Sequence, residues 1–250
     1  MKNSLLMLIF VVGCFREPNL SAIDYTTFSV WDNGKAPINL KNHIRVAYYK
    51  DYMLYRTTTI VSSTKGSSSN TEIYLNDTTG TKVYSYYVLR NSARKGLTFS
   101  TLYKKKIFDR AEFLNASGLN FKDSPFFNLE LGIPDRVEIN PNTGEIELEK
   151  YLNKNKGSEE PDSLYRYYDH DLASLNFSFN PTLDKKQKSK LWKISLIYSG
   201  MPKPPSGGAE KPRTEAYWKF EKSTLTQSES DTLMKVFNKF IVEEKLWDLR

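Results

Sequence analysis

Alternation of apolar and polar residues at every second position runs through most of the chain and restricts what it can fold into. Residues 43–49, 52–61, 82–90 and 97–103 follow this pattern, and segments rich in Ser, Asn, Thr and Gly interrupt it. Side chains that alternate with a period of two point to opposite faces of a β-strand. Strands joined by short polar turns pair as antiparallel neighbours. The sequence therefore predicts an antiparallel meander.

The second half of the chain contains the clearest local turn. Residues 133–151 read IPDRVEINPNTGEIELEKY, in which two alternating segments flank the turn at 140–144. Proline presets φ and glycine supplies a positive φ, so the chain can reverse there. This hairpin, with Gly132 before it, resembles those of immunoglobulin-like and cadherin-like repeats in bacterial surface proteins, and the resemblance brings no catalytic residue. Further strands are predicted over residues 164–169, 175–179, 191–198 and 215–221.

Two helices are expected, over residues 109–116 and 226–247. Thr226 and Glu229 have the spacing of a capping box at the start of the second helix. That helix carries an apolar stripe at helical spacing, formed by Leu233, Val236, Phe237, Phe240, Ile241 and Trp247. We expect the stripe to pack on the sheet, with docking to a partner as the alternative. The predicted fold class is mainly antiparallel β (β-rich α+β), a meander or sandwich-like sheet with a C-terminal amphipathic helix packed on it.

The composition is that of a folded body. Charged residues make up 26% and hydrophobic residues 39% of the chain, so enough apolar surface is available to build a core. Two β-rich halves are expected, at 23–125 and 126–250, and they can also form one continuous domain. Tyrosine is abundant, with 16 residues, and it suits half-exposed sheet faces and binding surfaces. We therefore predict a binding surface at Tyr84, Tyr86, Tyr165 and Tyr167.

The only cysteine, Cys14, follows directly after an apolar run near the start of the chain. Lys2 and the residues 5–12 have the order of a secretory signal, and the run is far shorter than the roughly 20 residues that span a bilayer. The sequence 11–14, Val-Val-Gly-Cys, resembles the lipobox of bacterial envelope lipoproteins, such as those of Bacteroidota. An ordinary signal peptide and a buried N-terminal strand are the alternatives.

The lipobox resemblance implies a membrane anchor. The thiol of Cys14 would take a diacylglycerol, residues 1–13 would be removed as a signal peptide, and the new amino terminus would be acylated. Residues 14–22 would then form a tether. Phe15 follows the cysteine where some bacteria place an aspartate as an inner-membrane retention signal, so the outer membrane is the expected location. The mature chain would contain no cysteine and therefore no disulfide.

Charge adds a second constraint on partners. The chain has 36 basic and 29 acidic residues, a net charge of +7. Export makes a nucleic-acid partner unexpected, and a basic exterior suits anionic headgroups or acidic glycans. Basic runs at 104–106 and 184–190 fit solvated turns or protection of sheet edges. Docking to headgroups or glycan is the alternative for both runs.

Catalytic and metal-binding signals are weak. The chain has two histidines, His43 and His170, and no phosphate loop or Gly-x-Ser-x-Gly elbow. On a regular strand Asp169 and Asp171 would face away from His170, so a single metal could be held only if a turn gathers them. We expect no metal site and no cofactor.

The sequence thus predicts a lipid-anchored envelope protein that binds a protein or glycan partner without catalysis. A carrier of lipids or lipoproteins is one alternative, because a curved sheet under a helix can enclose a half-barrel cavity. A glycan hydrolase is another, since it needs only two carboxylates about 5–10 Å apart. Glu159, Glu160 and Asp162 are acidic neighbours that could supply them.

Overall fold

A computed structural model describes residues 20–32, 37–61, 81–100, 105–121, 132–154, 160–200 and 213–246. Within these residues, eleven strands form a single antiparallel sheet. The strands are β1 Leu20–Asp32, β2 Pro37–Tyr49, β3 Tyr52–Val61, β4 Thr81–Arg90, β5 Lys95–Ser100, β6 Lys106–Asp109, β7 Arg136–Ile139, β8 Ile146–Leu152, β9 Ser163–Asp169, β10 Lys190–Tyr198 and β11 Thr214–Lys222. The helices are α1 Arg110–Ala116, α2 Pro181–Gln187 and α3 Gln227–Glu243. None of these helices combines the length and apolarity needed to cross a bilayer.

The strand order across the sheet is β6-β5-β4-β3-β2-β1-β11-β10-β9-β8-β7. Strands β1 to β6 make one meander and β7 to β11 make another, and the two join where β1 pairs with β11. That pairing aligns Ile23 with Lys222 at one end and Phe28 with Tyr217 at the other. The predicted mainly antiparallel fold with a C-terminal helix is confirmed, and the two halves form one continuous sheet.

One side of the sheet, here called the α1 face, carries the larger apolar core. It presents alternate residues of the central strands, including Ile23, Tyr25, Ile44, Val46 and Phe220, all of them buried. Phe113 of α1 stacks on Tyr87 with ring centroids 4.3 Å apart. The hydroxyl of Tyr25 donates to the carbonyl of Gly118 at 3.1 Å, which fixes the chain as it leaves α1.

The loop before α2 corrects one prediction. Residues 175–179 were expected to be a strand, yet no strand is assigned there. Phe177 and Phe179 are buried, and each makes an edge-to-face contact with Phe220 at a ring-centroid distance of 5.0 Å. Their alternation reflects an extended segment lying on the α1 face, since alternate residues of any extended chain point the same way.

The helix α2 was not predicted. Its N-cap is Asn180, whose side chain accepts hydrogen bonds from the backbone of Thr182 and Leu183, and Pro181 occupies the first turn. The predicted turn at 184–190 therefore lies partly in a helix. The pair Asn180-Pro181 is the sequence signal that marks its start, because proline and a polar cap both favour that position.

The other side of the sheet, here called the α3 face, is covered by α3 over the first five strands. Leu233, Phe237 and Phe240 are buried there, and Phe237 lies 5.6 Å from the ring of Tyr49. The predicted capping box is confirmed, since the side chain of Thr226 accepts from the backbone N–H of Glu229 and the side chain of Glu229 accepts from that of Thr226.

The helix ends earlier than predicted. It stops at Glu243, whose carbonyl accepts from the N–H of Leu246 at 2.9 Å in a tightened last turn. Trp247 lies outside the described residues.

At the other end of the chain β1 begins at Leu20, so the last residues of the predicted tether belong to the sheet, with Ala22 buried.

Two arginines fasten the ends of α3 to the sheet. Arg45 binds both carboxylate oxygens of Asp24, at 2.8 and 2.9 Å, and also contacts the carboxylate of Glu229 in the first turn. At the other end Arg90 binds both oxygens of Glu244, at 2.9 and 3.1 Å. Bidentate pairs of this kind fix direction as well as distance. The helix is therefore held in one register on the sheet.

The bidentate pair between Arg45 and Asp24 makes the stability of the fold depend on pH. Burial raises its pKa, but hydrogen bonds from His43 and Arg45 outweigh that effect and hold the pKa well below the usual value. A carboxyl with a lowered folded pKa stabilises the fold above its unfolded pKa, and this contribution disappears as the pH falls. The loss therefore begins near 3.8, the ordinary pKa of an aspartate carboxyl, and continues below it.

We expect Asp24→Asn to lower the free energy of unfolding at neutral pH by about 2 kcal/mol, as for hydrogen bonds to a charged group. Because the variant lacks the titrating carboxyl, its stability should begin to approach that of the wild type as the pH falls below about 4 and should continue to do so below about 3. Urea unfolding across this range measures both effects. The control variant Asp231→Asn removes an exposed carboxylate of α3. Its free energy of unfolding should change with pH as that of the wild type does. A difference in the free energy of unfolding between wild type and Asp24→Asn that stays constant with pH would contradict the role given to the Asp24 carboxylate.

Candidate functional site

Aromatic side chains gather on the α3 face beyond the helix, on strands β9 to β11 and β1. Tyr165 and Tyr167 lie two residues apart on β9, with their rings nearly parallel and centroids 6.3 Å apart. Trp192 sits at a bulge of β10 and packs against the core of the α1 face, and its ring lies 6.1 Å from that of Tyr167. Phe28 and Tyr217 stack across the β1–β11 pairing at 5.3 Å. A row of flat rings therefore crosses the second half of the sheet.

Lysines are placed between these rings. The Nζ of Lys193 lies 5.0 Å from the ring of Tyr167 and 5.1 Å from that of Tyr217, so it bridges the two aromatic groups. Lys150 lies 5.4 Å from the ring of Tyr165. We call these residues the tyrosine surface: Phe28, Lys150, Tyr165, Tyr167, Trp192, Lys193 and Tyr217.

Strand register explains why the tyrosine surface is continuous. Lys150 pairs with Tyr165, which pairs with Ser195, and Ser195 pairs with Tyr217, which pairs with Phe28. Directly paired residues on adjacent strands have neighbouring side chains on the same face. The aromatic row therefore runs perpendicular to the strands.

The helix α3 does not extend over this row. Within the described residues, the apolar cluster beneath α3 draws its strand residues from β1 to β5 alone. The rings of the tyrosine surface are half-buried rather than buried. Burial, followed by the charge of Glu215, raises the pKa of Tyr167, so its hydroxyl stays protonated and can donate a hydrogen bond at neutral pH. The surface offers flat apolar faces, hydroxyl groups and ammonium groups to a partner.

A buried carboxylate supports the same strands from the opposite side. Glu149 is 6% exposed on the α1 face. Its oxygens accept hydrogen bonds from the hydroxyls of Tyr151 at 3.0 Å and Tyr168 at 2.7 Å, and from the amide of Gln187 at 2.9 Å. Burial, and after it the charge of Glu149, raises the pKa of Tyr151 to about 12. The network ties β8, β9 and α2 together behind the tyrosine surface.

The four predicted tyrosines share the α3 face but not one site. Tyr84 and Tyr86 are on β4, and Tyr165 and Tyr167 are on β9. Five strands lie between β4 and β9, a separation of about 29 Å at the usual strand spacing. Tyr86 packs at the margin of the α3 cluster. The ring of Tyr84 lies 4.9 Å from the guanidinium of Arg56.

The histidines have local ion-pair partners. His43 lies 3.3 Å from Asp24, and His170 lies 2.9 Å from Glu145. A turn follows β9 and brings Asp171 back, so that its N–H donates to Asp169 at 2.8 Å. Even so, within the part of the chain described, no group of three or more His, Cys, Asp or Glu residues is placed to hold a metal ion.

The acids and lysines singled out from the sequence serve local structure. Glu160 accepts from the amide of Asn153 at 3.1 Å, and Asp162 accepts from the backbone of Ser199. Lys105 pairs with Glu243 of α3. In the second basic run, Asp184 binds Lys190, Ser178 and the backbone of Leu191. Cys14, Lys104 and Glu159 lie outside the described residues.

Sequence reasoning missed part of the tyrosine surface. Phe28, Trp192 and Tyr217 lie on three strands distant in sequence. The alternating pattern around Tyr217 predicts a strand but not its neighbours. Only the pairing of β1 with β11 and of β11 with β10 places these side chains beside Tyr165 and Tyr167.

No protein-family model matches the chain, and no curated protein shows significant similarity to it. Its function is therefore inferred from its own side chains.

Removing the buried carboxylate should destabilise the fold. We expect Glu149→Ala to lower the free energy of unfolding by at least about 2 kcal/mol, because buried donors lose their acceptor. Glu149→Gln keeps the volume and one acceptor oxygen, so its loss should be smaller. Urea denaturation measures both, with the exposed neighbour Glu147→Gln as control. Equal stability of Glu149→Ala and wild type would show that the network contributes nothing.

Proposed function

We propose that the protein is a lipid-anchored envelope protein that binds a protein or glycan partner, without catalysis, through the tyrosine surface. The observation that supports this best is the pair of half-buried aromatic groups, Tyr165–Tyr167–Trp192 and Phe28–Tyr217, which Lys193 bridges and Lys150 flanks. Aromatic residues dominate binding energy at interfaces, and they also offer flat faces to sugar rings. The ammonium of Lys193 pairs with Glu215 at 3.2 Å, so Lys150 is the lysine of this surface whose charge favours a partner that carries negative charge.

The packing on the α1 face favours surface binding over lipid carriage. A carrier needs an apolar cavity between the sheet and its cover. In the described residues, Phe121, Phe177 and Phe179 occupy that space, with mutual ring-centroid distances of 4.9 to 5.9 Å. An acyl chain would have to displace these rings from the core.

The proposed anchor is Cys14. Its position after the apolar run 5–12 is that of a lipidated cysteine, and β1 begins only six residues later at Leu20. A short connection of this kind would hold the sheet close to the membrane. A partner would then be another component of the same envelope or a ligand that reaches the membrane surface.

The anchor is tested by labelling with radioactive palmitate in a bacterial host. We expect the wild type to incorporate label and to fractionate with membranes, because a triacylated cysteine binds stably. Cys14→Ser should incorporate no label. Label retained in Cys14→Ser, or absent from the wild type, would contradict lipidation at this residue.

The binding surface is tested with the double variant Tyr165→Ala/Tyr167→Ala. Loss of two central aromatic residues should weaken partner recovery at least about 30-fold, as expected for an interface hot spot. Recovery is measured by photo-crosslinking in the envelope and by binding to an array of acidic glycans. Tyr84→Ala is the matched control, because Tyr84 lies on the same face and is 38% exposed.

The two assays distinguish protein from glycan partners. A crosslinked protein that disappears in the double variant but not in Tyr84→Ala would assign a protein partner, and the same behaviour on the array would assign a glycan. If neither assay captures a partner with the wild type, or if both variants lose it equally, the tyrosine surface is not the binding site.

A further inference from the structure

A groove of about 630 Å³ opens at one end of strands β7 to β10. It is formed where the tip of the β7–β8 hairpin meets the turn that follows β9. Five carboxylates line it: Glu138, Glu145, Glu147, Asp169 and Asp171. No lysine or arginine is among the described residues that line it. The groove is therefore locally negative, although the chain as a whole has a net charge of +7.

The carboxylates are only partly neutralised by neighbouring cations. The cation beside Glu138 is Arg136, at 2.9 Å, and Glu145 lies 2.9 Å from the ring of His170, which carries a charge only when it is protonated. The donor to Glu147 is the neutral amide of Asn140, at 2.7 Å. Negative charge gathered in a concave site raises the local concentration of cations. The groove therefore attracts positively charged groups.

The groove also has features that an acidic patch alone would lack. Trp192 and Tyr167 form an aromatic part of its lining. Ser189 lines it as well and is 3% exposed, and its Oγ finds no hydrogen-bond partner among the described residues. A buried hydroxyl without a partner is costly, so a ligand that donates a hydrogen bond there would be favoured.

The chemistry points to an organic cation rather than a metal ion. The acids surround the groove and, in the part of the chain described, do not converge as a metal-binding group. Ammonium and guanidinium groups bind well to aromatic faces, of which tryptophan is the best. They also donate several hydrogen bonds to carboxylates. The volume is large enough for a side chain together with part of the segment that carries it.

We propose that this groove binds a lysine- or arginine-bearing segment of a partner protein, with the cationic head group against Trp192 and among the carboxylates. The site goes beyond the tyrosine surface, because it has the opposite charge and needs no anionic partner. The two share Tyr167. A partner with a basic segment beside an acidic one could bind both at once.

The test uses the full-length chain and a fluorescein-labelled tetralysine peptide, followed by fluorescence anisotropy. A peptide of four acetyl-lysines serves as the neutral probe, because acetylation removes the charge and keeps the length. We expect tetralysine to bind and the acetylated peptide to bind at least about tenfold more weakly.

Three variants locate the binding. Glu147→Gln/Asp171→Asn removes two charges from the groove at nearly constant volume and should weaken tetralysine binding about tenfold. Trp192→Leu should weaken it several-fold through loss of the cation–π contact. Glu112→Gln/Asp231→Asn removes the same charge from exposed residues of α1 and α3 and should leave binding unchanged.

Other outcomes overturn the proposal. If the α1/α3 control weakens binding as much as the groove variant, the peptide responds to overall charge rather than to this site. Equal binding of acetylated and free tetralysine would exclude recognition of a cation. Sedimentation tests whether the occupant of the groove is instead a second copy of the chain. Self-association that tetralysine and the groove variant both abolish would assign the groove to a second copy of the chain, not to a partner protein.

Discussion

The pairing of β1 with β11 is the contact on which the rest of the structure depends. It joins the N-terminal meander to the C-terminal one through the ladder from Ile23–Lys222 to Phe28–Tyr217. The other strand pairs link neighbours in sequence, so they form locally, whereas this ladder closes a loop that spans most of the chain. Without it, β1 and β11 would both be exposed edges, and Tyr25 would lose Phe220 as its neighbour on the α1 face.

The same ladder divides the α3 face into two parts with different uses. On the β1–β5 side, Asp24 and Arg45 fix the start of α3, and the helix covers the apolar residues there. On the β8–β11 side the face remains half-exposed and carries the tyrosine surface, with Phe28 of β1 at its boundary. Bidentate pairs at both ends hold α3 over the first part of this face.

Local features of the fold could be read from the sequence, and non-local ones could not. The capping box of α3 and the hairpin with positive φ at Gly144 depend on residues close together in sequence. The strand β1 was hard to predict from the sequence. Residues on both of its faces, such as Ala22 and Ile23, are buried, so apolar and polar residues do not alternate clearly along it. The prediction of a strand over residues 175–179 was wrong for the opposite reason. A loop that packs on the core can show the same alternation of apolar and polar residues as a strand.

The sequence by itself determined the strand periodicity, the helix cap and the apolar run that precedes Cys14, because each depends on a few consecutive side chains. Only the tertiary structure decided that Tyr165 and Tyr167 join Phe28 and Tyr217, while Tyr84 lies about 29 Å away on the same face. The order of strands in a sheet sets which side chains meet. That order follows from the total burial of both faces, which no single segment encodes.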